Sequence, residues 1–498
     1  MDIGQTCGNR AGNAGRLGLL WLTNCLTGPC RAGRSVLRRE PKKTPRSCPV
    51  PSTYLDSAVF RDIFTTPAMR QVWSDENRVQ KYLDFEKALA VAQAKLKIIP
   101  QDACDEIVKH CDAKEYDMAK LKEATERIGY PVLPVVQQLV KLCKDKLGEW
   151  SHWGATTQDI TDTATVLQIR ESLDIVAKEI DGICEALAAL ATKYRDTPMA
   201  GRSNLQQAVP ITFGYKMATI LAGFERHRER LAQLKERVLV GEFGGAAGTL
   251  SSLGKEGLKC QAELMKELKL GQPAISWHTV RDCIAEVGAF LGLVTGSCGK
   301  VAFDVKLLMQ TEVEEVFEPF HQGRGSSSTM PQKRNPISSV YITAQTAIVK
   351  QHAAALMEAM VEDHERATGP WEIEWIVLPE IFMLSAGALA QTRFVLEGLQ
   401  VNEKKMAENL MITKGLIMSE AVMMKLGDKM GRNYAHDHVY DICREVVKTG
   451  TPLIDLLAED KEISKHASRK ELEAMVDPAN YLGVAGEMVD RVLAMWKK

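Results

Sequence analysis

From about residue 54 onward, apolar residues recur every three or four positions, and four polar stretches interrupt them. The longest run is Val166, Ile169, Leu173, Val176, Ile180, Ile183, Leu187 and Leu190. Spacings that alternate between three and four give a 3.5-residue period, the seam of long helices lying side by side. A helix over 157–195 would be roughly 57 Å long at 1.5 Å per residue, so it needs neighbours along its whole length. Met217, Ile220, Phe224, Leu231, Leu234 and Val238 repeat the pattern after Pro210. Three more long helices are predicted over 279–318, 336–363 and 375–399. His227 falls on the second seam, among Glu225, Arg226, Arg228 and Glu229, and reads as a solvated or interface residue. No stretch alternates with the strand period.

The pattern predicts an all-α protein. An elongated central bundle of five long helices over 157–399 stands between two smaller helical domains, 54–156 and 400–498. Residues 1–53 do not share the pattern. The first fifty hold nine Lys or Arg against two acids, which leaves the rest of the chain acidic. This segment reads as a disordered or targeting tail, with a cytoplasmic location expected and a mitochondrial one as the alternative.

Composition narrows the classes. Hydrophobic residues at 45% and charged residues at 26% describe an ordinary globular protein, and 6% aromatics favours helices over sheets. A net charge of −1 provides no global field for nucleic acid or a membrane surface, and neither partner is expected. No uncharged apolar run is long enough to span a bilayer; 287–299 comes nearest and reads as a buried bundle helix. The 12 cysteines include no Cys-x-x-Cys, and the 10 histidines have no ligand spacing. Reduced thiols, no metal and no cofactor are therefore expected. The glycine-rich stretch at 243–254 lacks Gly-Lys-Ser/Thr and a preceding strand, so it reads as a turn or close-approach element rather than a phosphate loop.

The chemistry gathers in the polar interruptions, 152–162, 200–207, 323–335 and 363–375. Each alone could be a set of helix caps. Together they offer His152, Thr156, Thr157, Arg202, Ser203, Asn204, Gln206, Lys333, Asn335, His364 and Arg366. Cations and hydrogen-bond donors in that number suit a small polycarboxylate. The third stretch reads Gly325-Ser-Ser-Ser-Thr-Met-Pro-Gln-Lys-Arg-Asn-Pro336, a flexible serine-rich loop leading into a helix N-terminus, which favours an anion.

Ser327 to Asn335 resembles the signature loop of the aspartase/fumarase superfamily, and the resemblance extends over nearly everything after residue 55. His152-Trp-Gly-Ala-Thr-Thr-Gln-Asp159, Met199 to Gln207, Trp277-His-Thr and His364-Glu-Arg are similar to the 3-carboxy-cis,cis-muconate cycloisomerase branch. Arg202-Ser-Asn-Leu205, Gly325 to Met330 and Asp363 to Trp371 look still more like the trans-aconitate decarboxylases. The resemblance implies a homotetramer with a tetrameric helical core, active sites shared between subunits, and no metal. It implies that Ser327 is the loop serine that acts when ionised and that His152 is a second catalytic group. Lys333, Asn335, Arg281 and the remaining polar-loop residues would hold the substrate. One departure stands out: many members carry a histidine acid where this chain has Asn204, and an amide cannot transfer a proton at neutral pH. The implied reaction is decarboxylation of trans-aconitate, a small unsaturated tricarboxylate. Carboxymuconate cycloisomerisation and an adenylosuccinate-lyase-like elimination are the alternatives.

Overall fold

A computed structural model describes residues 52–321 and 323–496; the expected tail, apart from its last two residues, lies outside them. Five long helices dominate: α2 (Thr157–Lys193), α3 (Phe213–Val238), α4 (Asp282–Leu308), α5 (Ile337–Glu358) and α6 (Pro370–Glu397), preceded by α1 (Asp75–Lys95). All eight apolar residues of the expected α2 seam are buried. α2 packs on α3 and α6, α3 on α4, α4 on α5, and α5 on α6, which closes the ring of neighbours. The core they share runs from Ile169 to Leu190 and on through Phe224, Leu291, Val349, Ile381 and Leu389.

Local signals explain most helix ends. α2 opens at Thr156, whose N–H donates to Asp159 three residues on, half of a capping box. α6 begins at Pro370, five residues before the expected start, because proline suits a first helical position. α4 stops at Leu308 rather than near 318. Beyond it the chain turns through Glu314, with φ of 48°, so that Val316 and Phe317 can pair with Gln400 and Val401.

Two expectations are corrected. The stretch at 200–207 is a β-hairpin, β1 (Pro198–Ser203) against β2 (Gln206–Thr212). Its two-residue turn puts Asn204 and Leu205 at φ of 50° and 64°, the left-handed pair a tight hairpin turn demands. Both flanks carry proline, one has a bulge, and the turn lacks glycine, so no strand signal survives in the sequence. His227 is not solvated: it is 5% exposed and meets the Ser297 hydroxyl at 2.8 Å. Burial, with Arg230 and Arg226 nearby, holds its pKa down to about 4, so it sits in the seam as a neutral ring.

The smaller cores are less contiguous than expected. That around α1 also takes in Ile160, Ala164 and Leu167 of α2 and the segment from Phe243 to Leu268. A separate core runs from Val422 to Leu472, whereas Val489 of the last helix, Ala485–Trp496, joins the bundle. α4 and α6 are long and apolar enough to cross a membrane, but 56% and 67% of their apolar windows are buried inside the protein.

Candidate active site

The up-and-down path of the bundle sorts the predicted residues into two groups. At one end lie the start of α2, the 241–254 loop and the starts of α4 and α6. Arg366 donates from Nε to Gln158 Oε1 at 2.6 Å, and from one terminal nitrogen to Thr156 Oγ1 at 3.1 Å and the Ala246 carbonyl at 3.3 Å. His152 stands beside them with φ of 61°. Its backbone N–H donates to one oxygen of Glu86 at 2.9 Å, and its Nδ1 lies 2.8 Å from the other. Thr157 opens α2, and His364 is exposed on the loop before α6 with φ of 52°.

Asp159 holds this end together. Its carboxylate accepts from the N–H groups of Thr156, Gly244 and Gly245 and from His278 Nε2 at 2.8–3.0 Å. A Cβ on Gly244 would come within 2.7 Å of the Ser276 hydroxyl, so the glycine-rich stretch is a close-approach element, as expected. Glu242 lies alongside, and burial pushes its carboxyl up to about 7. Burial also pulls His278 down, but the hydrogen bond to Asp159 and the charge of Glu242 outweigh it, and its pKa is raised. Asp159, Glu242 and His278 form the one potential metal cluster among the described residues. The donor set fits an ion poorly: each Asp159 oxygen already accepts two N–H groups and both ring nitrogens of His278 have partners, leaving Glu242 Oε1 alone unpaired.

Arg281 does not reach an open site, contrary to expectation. It is 2% exposed, stacked on Trp277, and donates to Asp162 at 2.7 and 2.9 Å and to both oxygens of Glu374. A guanidinium with two buried carboxylates is already neutralised, so it ties α2, α4 and α6 together.

The opposite end carries the hairpin and the serine-rich loop. Arg202 is likewise committed, as a bidentate pair with buried Glu315 at 2.6 and 2.9 Å, which fastens the hairpin to the bundle instead of leaving a free guanidinium. Ser203, Asn204 and Gln206 sit exposed at the tip. In the loop, Ser327 Oγ accepts from the N–H groups of Thr329 and Met330 at 3.3 and 3.1 Å. Two amide dipoles aimed at one hydroxyl favour its oxyanion, and among the described contacts neither Ser326 nor Ser328 receives such a pair. Asn335 donates from both its backbone and its side chain to the Gly325 carbonyl and so closes the loop's neck. Gly325 has φ of 70°, and a Cβ there would lie 2.6 Å from the Asn335 carbonyl. Arg334 rests on the faces of Phe317 and Phe320. Lys333 and Asn335 line a cleft of ≈ 680 Å³ between the end of α4 and the start of α5.

One chain therefore assembles Thr156, Arg366 and His152 at one end, and Ser327, Lys333 and Asn204 at the other. The 27 residues of α4 separate the two by about 40 Å. The supports not singled out as site residues in the sequence are Glu86, Gln158, Glu242, His278 and Glu315. Gln158 and His278 lie in the family-like stretches and Glu86 is an acid on the buried Tyr82–Leu89–Gln93 stripe of α1; Glu242 and Glu315 are set by contacts between remote segments.

Comparison with known proteins agrees with this architecture. Residues 62–349 match the family described as Lyase, and residues 415–492 match the adenylosuccinate lyase C-terminus. Trans-aconitate decarboxylase 1 of Mycosarcoma maydis is 58% identical over 440 residues, 88% of this chain and 89% of that protein. The 3-carboxy-cis,cis-muconate cycloisomerase of Pseudomonas aeruginosa is 44% identical over 88% of this chain and 96% of its own length. The solved 3-carboxy-cis,cis-muconate lactonizing enzyme of Pseudomonas putida superposes with a TM-score of 0.84 at 39% identity, covering 89% of this chain and 99% of that one. With the bundle, the serine loop and the family match in agreement, the chain belongs to the aspartase/fumarase superfamily and is a lyase.

Proposed function

We propose that the protein decarboxylates trans-aconitate to itaconate in a homotetramer whose active sites are shared between copies. The observation that turns the reading away from elimination is Asn204: the hairpin tip offers an amide where many members offer a histidine acid. A fumarate-releasing elimination needs a base and an acid at adjacent carbons. Decarboxylation needs less. Breaking the bond to the methylene carboxylate releases carbon dioxide and leaves an electron pair conjugated through the double bond to another carboxylate. Lys333, Arg366 and the helix N-termini would stabilise that charge. A proton delivered to the remote carbon, from Ser327 or His152, completes itaconate. The 58% identity to trans-aconitate decarboxylase 1 supports the same choice.

Sharing between copies is supported by the 40 Å gap, since no single copy can close both groups of residues round a six-carbon acid. It is also supported by an apolar face with no partner among the described residues. Val340, Ala344, Ala347, Ile348, Ala354 and Met357 of α5 are exposed along one side, next to Leu293 and Phe303 of α4. Small residues at helical spacing let another long helix approach closely.

The deciding assay offers purified protein trans-aconitate and 3-carboxy-cis,cis-muconate separately and follows released carbon dioxide. Release from trans-aconitate alone is expected. Lactone formation from carboxymuconate without carbon dioxide would overturn the reading in favour of the cycloisomerase, which the 44% relative supports.

A further inference from the structure

Glu86 is a fully buried acid beside the site. Its side chain is 1% exposed within the α1 core, and among the described residues its one ion-pair partner is His152. A carboxylate buried without lysine or arginine is costly unless something cationic faces it. Both its oxygens are used on the same residue, one by the His152 backbone N–H and one by Nδ1. The first contact holds a left-handed backbone, a conformation uncommon outside glycine. The second puts a proton on Nδ1 and turns Nε2 away from the acid.

We propose that Glu86 is a positioning residue that keeps His152 protonated and aimed, making the imidazolium, rather than Ser327, the proton donor of the decarboxylation. This rests on the reading of the reaction given above. As the bond to carbon dioxide breaks, its electron pair passes to the remote carbon and takes the proton from Nε2; neutral His152 then regains one from water. The overall reaction consumes one proton per carbon dioxide, so an acid is the group it requires. The charged groups acting on the ring come from two elements, Glu86 on α1 and Asp159 at the start of α2. Burial draws the ring towards neutrality, but the Glu86 hydrogen bond and charge, with Asp159 behind, outweigh it, and its pKa is raised.

The test uses the full-length enzyme and two readouts. The first is carbethoxylation by diethyl pyrocarbonate, which attacks only neutral imidazole, mapped to His152 by peptide mass spectrometry across pH 5–9. Glu86→Gln should bring the onset of modification to lower pH, and Glu86→Asp, which keeps the charge, should bring it back towards wild type. The second is the pH profile of kcat on trans-aconitate. Glu86→Gln should move the alkaline limb to lower pH and cut kcat at pH 8 by about ten- to a hundredfold, with KM changing less than about threefold. Unchanged His152 modification in Glu86→Gln would overturn the proposal, as would a kcat loss with an unmoved limb. Modification needs no turnover, so an inactive wild type would refute the reaction while leaving the role of Glu86 open to its own refutation.

Discussion

At the level of single residues, hydrogen-bond satisfaction separates the cations left open to a ligand from those already paired. Arg202 and Arg281 looked equivalent to Arg366 in the sequence, yet both are saturated by buried carboxylates. Arg366 is held by neutral groups and keeps its charge for a ligand. Ser327→Ala removes the one loop hydroxyl that faces two amides; with His152 as the proton donor, kcat on trans-aconitate should fall by less than about tenfold, and steady-state kinetics showing a loss of about a hundredfold or more would return the donor role to the serine. Glu242 makes a different prediction. Its folded pKa, about 7, lies above that of an unfolded glutamate. Its contribution to stability is therefore fully present below the unfolded value and is lost as pH rises through 7. His278, also raised, adds a loss of the same sign. Glu242→Gln still accepts the Trp277 N–H but has no charge to desolvate. Thermal melts should show it gaining on wild type from pH 5 to pH 8, by about 1–2 kcal/mol at the alkaline end.

At the level of elements, what was legible depended on periodicity. The α2 seam was readable because eight apolar residues recur over seven turns, and the packed helix buries every one of them. The hairpin was not, because its turn is Asn-Leu and its strands contain Pro198, Gly201 and Pro210. The serine loop was recognisable by residue order, but its shape was not: the neck closed by Asn335 on Gly325 joins residues ten apart. Gly325→Ala puts a methyl group against the Asn335 carbonyl and requires a left-handed alanine. It should spring the neck open and lower kcat on trans-aconitate by more than about tenfold. Thermal stability should barely move, since the loop contributes little core.

For the whole molecule, the decisive fact is that one bundle carries the predicted polar residues in two groups, one at each end. Mixing copies should therefore rescue what mutation destroys. Lys333→Ala and Arg366→Ala, each inactive alone, should regain a readily measured fraction of wild-type turnover when unfolded and refolded together, since some mixed sites receive neither lesion. No recovery would rule out sharing. A charge placed mid-face on α5, Ala347→Glu, should dissociate the assembly in light-scattering measurements and abolish activity with the helices intact by circular dichroism.

The sequence by itself determined the helical class, the five long helices, the superfamily and most residues that could meet an anion, because periodicity and motif order are local properties of a chain. Only the tertiary structure decided which cations are free, that two amides face the Ser327 hydroxyl, and that Glu86 lies under His152. Those outcomes depend on burial and on pairing between segments up to 210 residues apart, as for Arg366 and Thr156, and no local pattern encodes them.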